Sequence, residues 1–172
     1  HLHPTILAER RISRTDIFNA IFGDNDEAKT IAHHAYNNSY RTHYGDVKPL
    51  QQGVTEYLLS IKKLGLKLGI ATNRIREFLD HELKLVADGA FLQLLDAHKC
   101  ADDVTRYKPH PDVILSAIKD MNLEADEHIW YIGDSQMDII TAHHAGITPL
   151  FFNSGGWDDD WIDRMLLQDA QF

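Results

Sequence analysis

The 172 residues carry 17 lysines and arginines against 26 aspartates and glutamates, a formal net charge of −9, with 44% hydrophobic residues. That composition suits one globular core with a small accessory element and excludes a disordered or fibrous chain. The acidic balance speaks against nucleic acid as a partner, since phosphate backbones are gripped by clustered cations, yet one local cationic pocket can still hold a small phosphorylated molecule.

Two helices are predicted first, from Thr5 to Phe22 and from Asp26 to Tyr44, with Gly23-Asp24-Asn25-Asp26 as the turn between them and an aspartate capping the second. Ile17, Ile21, Ile31 and Ala35 mark their apolar faces, and Phe18, Phe22, Tyr36 and Tyr40 are expected to pack within the hairpin. Val54, Tyr57, Leu58, Ile61 and Leu64 recur at helical spacing, so residues 51–64 form an amphipathic helix closed by Gly65. Residues 66–71 are an apolar run bounded by turn residues and predict a buried strand. Residues 74–84 predict a helix, Leu94 to His98 a strand, and Pro111 to Met121 a helix with Ile114, Ala117, Ile118 and Met121 on one side. A strand at His128 to Gly133, a helix from Gln136 to Ala145 closed by Gly146, a strand from Ile147 to Phe152 and an acidic, Trp-bearing helix complete the chain. Alternating strands and helices predict an α/β fold: a Rossmann-like parallel sheet with helices on both faces. In such sheets chemistry gathers at the carboxyl ends of the strands.

Three strand-end or loop segments carry functional groups. Ile70-Ala71-Thr72-Asn73-Arg74 offers a hydroxyl and an amide where backbone N–H groups favour an anion, although Thr and Asn are also ordinary helix caps. Lys108-Pro109-His110-Pro111 holds a lysine on a pre-organised loop, either as a point charge for phosphate or as a solvated surface group. Gly133-Asp134-Ser135-Gln136-Met137-Asp138 puts one carboxylate at a strand tip and another one turn later, which suits magnesium, while Asp138 equally suits the helix dipole.

Taken together and in this order, strand–Thr-Asn, Lys-Pro-x-Pro before a helix, and strand–Gly-Asp-x-x-x-Asp resemble the haloacid dehalogenase-like superfamily, most closely its phosphoglycolate phosphatase-like branch. The resemblance covers nearly the whole chain. It implies a helical cap over residues 1–48 and a Rossmann-like core over residues 49–172. It also implies hydrolysis of a small phosphorylated metabolite through an aspartyl-phosphate, with Mg2+ as cofactor. Thr72 and Lys108 would be catalytic, Thr72, Asn73, Arg74 and Lys108 would bind substrate, and Asp134 and Asp138 would serve the metal.

The family's first motif, a strand followed by Asp-x-Asp-Gly-Thr, is absent from the 172 residues. Asp24-Asn25-Asp26 follows a helix and is expected to be a turn, and Asp102-Asp103 and Asp158-Asp159-Asp160 are expected to lack a preceding strand. In the family, the missing strand lies between those that here end at Ala71 and Gly133, so its absence would open a gap of about 10 Å. The chain opens at His1 without a Met, and the expectation is that the nucleophile segment lies upstream of it. The alternative is an inactive, ligand-binding relative.

Other readings have less behind them. Ser135 lacks a recognisably spaced His and acid for an esterase, and a phosphorelay receiver would carry its acidic pair near its N-terminus. The pairs His33-His34 and His143-His144 diverge on helices, and His81-Glu82 lacks the second histidine of a zinc helix. A single cysteine, Cys100, excludes an internal disulfide and fits a reducing compartment, hence a cytoplasmic expectation with Cys100 inert. No secretory leader is expected, and with no apolar run near the roughly 20 residues a membrane helix needs, no membrane partner is expected either.

Overall fold

The computed structural model describes residues 14–43, 53–153, 156, 158–160 and 162–163. The start of the first predicted helix and most of the last one lie outside them. The chain divides into two compact units, His1–Val47 and Lys48–Phe172.

The first unit is a helical hairpin of α1 (Arg14–Phe22) and α2 (Asp26–Thr42). Gly23 takes the left-handed conformation that the turn requires, φ +55°. The cap of α2 is Asn25, not an aspartate: its side chain accepts the Ala28 N–H at 3.0 Å. Ile21 and Ile31 do not pack as their spacing predicts and are exposed. The hairpin is held instead by Phe18, edge-on to Phe22 and to His33, and by the Arg14 guanidinium, which lies 4.6 Å from the Tyr36 ring centre and donates to Asn37 at 2.8 Å. Aromatic rings and one arginine thus do what the aliphatic stripe does not.

The second unit contains α3 (Val54–Lys63), β1 (Gly69–Ala71), α4 (Arg76–Leu85), β2 (Ala97–Lys99), α5 (Asp112–Asp120), β3 (Trp130–Gly133), α6 (Gln136–His144) and β4 (Thr148–Phe151). Helix α3 ends in a Schellman turn, with Leu66 N–H on the Ile61 carbonyl at 3.3 Å and Gly65 N–H on the Lys62 carbonyl at 2.9 Å. The strands are parallel and pair two by two. Gly69, Ile70 and Ala71 stand opposite Ala97, His98 and Lys99, and Trp130 to Gly133 stand opposite Thr148 to Phe151. Every strand is shorter than the hydrophobic run that predicts it, because each has a single hydrogen-bonded partner among the described residues.

Side chains alternate across a strand, so β1 feeds two cores. Ala71 packs towards Val113, Ile114, Ala117 and Ile118 of α5, which join Ala97, Met121, Ala142, Ala145 and Ile147 in the larger core. Ile70 packs on the opposite side with Leu79 and Leu83 of α4 and with Cys100. In β3, Tyr131 lies against the larger core while Trp130 and Ile132 point the other way and are 63% and 54% exposed. Between β1 and β3 runs a cavity of about 610 Å³, lined by both strands and by Ile61 and Leu64 of the α3 region. No backbone ladder joins β1 to β3 among the described residues.

Candidate active site

The carboxyl ends of β1 and β3 and the loop before α5 are tied together by side chains. Asn73 forms a two-bond ring with the backbone of one residue: Lys108 N–H donates to Asn73 Oδ1 at 2.9 Å, and Asn73 Nδ2 donates to the Lys108 carbonyl at 3.1 Å. The Lys108 ammonium donates to Asp138 Oδ1 at 2.6 Å and to the Tyr131 hydroxyl at 3.1 Å. Tyr131 in turn donates to the Ala71 carbonyl at 2.6 Å. Asp138 Oδ2 accepts from the Ser135 hydroxyl at 2.6 Å and its N–H at 3.2 Å, while Ser135 Oγ receives the Asp138 N–H, a capping box that starts α6.

Gly133 makes this closure possible. A Cβ there would lie 2.2 Å from Asp138 Cβ and 2.5 Å from its Cγ, so only glycine lets α6 press its first turn onto the strand end. The Lys108 and Asp138 side chains are 11% and 9% exposed. Burial works against both charges, but they sustain each other. Burial alone would raise the Asp138 carboxyl, yet Lys108 and the Ser135 bonds hold it below the usual carboxylate range. Burial alone would lower the Lys108 ammonium, yet Tyr131 and Asp138 hold it above its usual range. Tyr131 is pushed up by burial and by Asp138, with Lys108 opposing, so near neutrality the trio is cation, anion and neutral phenol.

Thr72 and Asn73 do not cap a helix. Helix α4 begins at Arg76, and the Arg76 N–H is taken by Asp102 Oδ2 at 2.6 Å. Thr72 extends the β1–β2 ladder through its N–H on the Lys99 carbonyl, and its hydroxyl accepts the Arg74 N–H at 3.2 Å. Arg74 reaches towards α4, where its Nε pairs with Glu82 at 2.8 Å. Asp134 is exposed at the tip of β3. Asp102 and Asp103 do follow a strand, β2, contrary to the sequence expectation, but their carboxylates serve the fold: Asp102 caps α4, and Asp103 takes the Cys100 N–H at 2.8 Å and pairs with Arg76.

Of the six residues singled out by motif, Asn73, Lys108 and Asp138 are joined through Lys108, and Thr72 and Asp134 flank them in the chain. Both oxygens of Asp138 are engaged by Lys108 and Ser135, and Asp138 is buried while Asp134 is exposed. Among the described residues no three His, Cys, Asp or Glu side chains are grouped to hold a metal ion. Motif reasoning passed over Tyr131. Its signal was the two-residue period of a strand, which puts Tyr131 on the face of Gly133.

The family model for haloacid dehalogenase-like hydrolases matches residues 6–152. The chain belongs to this family. Among curated proteins it is similar to the pyrophosphatase PpaX of Bacillus mycoides, with 28% identity over 131 residues, 76% of this chain and 58% of that one. The chain spans about half the length of the curated relatives it matches, 48% and 58% of two of them. Two crystal structures share the fold. One is a predicted phosphoglycolate phosphatase from Haemophilus somnus (TM-score 0.62, 22% identity, covering 86% of this chain and 58% of that one). The other is CbbY from Rhodobacter sphaeroides in complex with xylulose-(1,5)-bisphosphate (TM-score 0.60, 18% identity, covering 76% of this chain and 60% of that one).

Proposed function

We propose that the full-length protein is a magnesium-dependent phosphatase acting on a small phosphorylated metabolite. The observation that carries this reading is Lys108: Asn73 holds its backbone, and its buried, charged ammonium is fixed by Tyr131 and by Asp138 in the first turn of α6. A fixed cation tied to the strand end that precedes Thr72 suits a phosphoryl group, whose equatorial oxygens gain charge during transfer. Thr72 presents its hydroxyl, Asn73 holds the backbone of Lys108 in place, and Lys108 offsets the charge.

The nucleophile is a carboxylate from a strand outside these residues, seated in the cavity between β1 and β3. The separate pairing of the two strand couples and the apolar lining of the space between them support this. The carboxylate attacks phosphorus and the bond to the leaving oxygen breaks. Water then hydrolyses the aspartyl-phosphate, releasing phosphate and restoring the carboxylate.

Magnesium would be held by Asp134, the exposed hard-oxygen donor, with the remaining positions filled by water, substrate phosphate and the added carboxylate. Such sparse protein ligation is ordinary for this ion, so the residues present fit it. When bound, it neutralises charge on the phosphoryl oxygens. Asp138 acts through Lys108. Pyrophosphate and sugar phosphates are the first substrates to try, given what the similar proteins are named for or bind. In this reading residues 1–48 are a helical cap of the family's kind, and the protein is cytoplasmic.

The test is phosphate release by the full-length protein with magnesium, from pyrophosphate, phosphoglycolate and sugar phosphates. Turnover of at least one is expected, with Lys108→Met lowering kcat/KM by about 10²–10³. No turnover of any would overturn the phosphatase reading. A second reading, an inactive ligand-binding relative, draws on the absence of Asp-x-Asp-Gly-Thr from the 172 residues. Trapping of beryllofluoride by the full-length protein excludes it.

A further inference from the structure

We infer that Tyr131 is a positioning residue for the phosphate site: its hydroxyl, bridging the Ala71 carbonyl and the Lys108 ammonium, sets the direction in which Lys108 presents its remaining N–H. The inference rests on the functional reading above and adds a residue that none of its motifs contains.

The bond arithmetic is restrictive. A phenol has one proton, and the Ala71 carbonyl at 2.6 Å takes it, leaving the Asp138 contact at 3.3 Å secondary. The Tyr131 oxygen is therefore an acceptor towards Lys108, at 3.1 Å. An ammonium has three N–H groups at tetrahedral angles. With Asp138 alone the group could turn about a single contact. With Asp138 at 2.6 Å and Tyr131 at 3.1 Å, two directions are fixed, and so is the third. Ala71 immediately precedes Thr72, so the same hydroxyl also anchors the strand end that carries Thr72 and Asn73. One oxygen thus links β3 to the end of β1 and to the loop before α5. A merely packed ring would have no use for it: Tyr131 lies against the larger core with Ile129 and Val104, where a bare phenylalanine would avoid the cost of burying a hydroxyl.

The experiment measures inorganic phosphate affinity by calorimetry in the full-length protein, for wild type, Tyr131→Phe, Lys108→Met and the double variant. Tyr131→Phe is expected to weaken phosphate by about three- to tenfold, the size of one ordinary hydrogen bond. In the Lys108→Met background the same change should alter affinity less than twofold, because the hydroxyl acts through the ammonium. With turnover assays, Tyr131→Phe should raise KM by a similar factor and change kcat less. If Tyr131→Phe is poorly folded, the phosphate-induced rise in melting temperature reports affinity on the folded fraction. An affinity within twofold of wild type overturns the inference, as does an equal loss in the Lys108→Met background. Wild-type protein that binds no phosphate overturns the phosphatase reading, and the inference falls with it.

Discussion

Replacing Lys108 with methionine removes the ammonium and leaves the Asp138 carboxylate enclosed, 9% exposed, with the Ser135 donors and the longer Tyr131 contact to hold its charge. Breaking a buried pair from one side costs about 3–5 kcal/mol, more than the pair itself contributes over an apolar replacement. In the wild type, Asp138 titrates below the ordinary carboxylate value, so its contribution is present above that value and fades as the pH falls through the depressed one. Lys108 titrates above the ordinary ammonium value, so its contribution is present below that value and fades as the pH rises through the raised one. In Lys108→Met the cation is gone and burial raises the carboxyl, so Asp138 takes up a proton at higher pH than in the wild type. The stability difference should therefore be largest near pH 7–8 and shrink towards pH 4. Urea unfolding followed by circular dichroism, at several pH values, gives the difference directly. Lys108→Met with Asp138→Asn should recover part of the loss, since the amide keeps an acceptor for Ser135 and carries no charge. A difference below about 1 kcal/mol, or one that does not move with pH, would refute the buried-pair account.

Two further outcomes follow from close packing. Gly133→Ala places a methyl within 2.2 Å of Asp138 Cβ, so α6 must shift; the loss should reach about 1–3 kcal/mol by thermal unfolding, and an unchanged melting temperature would contradict the close approach of α6 to the end of β3. Cys100 is fully buried and burial pushes its thiol up, so Ellman's reagent should leave the native protein unlabelled at pH 8 and label it fully in urea. Rapid labelling without denaturant would contradict the packing of α4 on β2.

What the sequence made legible was whatever one segment decides by itself. The stripe of Ile114, Ala117 and Ile118 placed α5 correctly, and Gly65 ended α3 where expected, because periodicity and a left-handed glycine act locally. Features set by a partner far along the chain were not legible. Asn25 rather than an aspartate caps α2, a choice between neighbouring polar groups that composition does not rank. Thr72 and Asn73 looked like caps until Asp102, 26 residues beyond Arg76, was found holding the α4 N-terminus. Motif order drew attention to Lys108 and Asp138, yet nothing in it pointed to the Tyr131 hydroxyl, whose partners Ala71 and Lys108 lie 60 and 23 residues away.

Among the described residues β1 and β3 each pair on one side only, and both line an apolar channel. A strand edge does not discriminate by sequence: any extended polypeptide that arrives first can zip onto it. Order of assembly then becomes a safeguard, since a tethered segment arrives at high effective concentration and outcompetes strangers, whereas a crowded population of untethered molecules would stitch to one another instead.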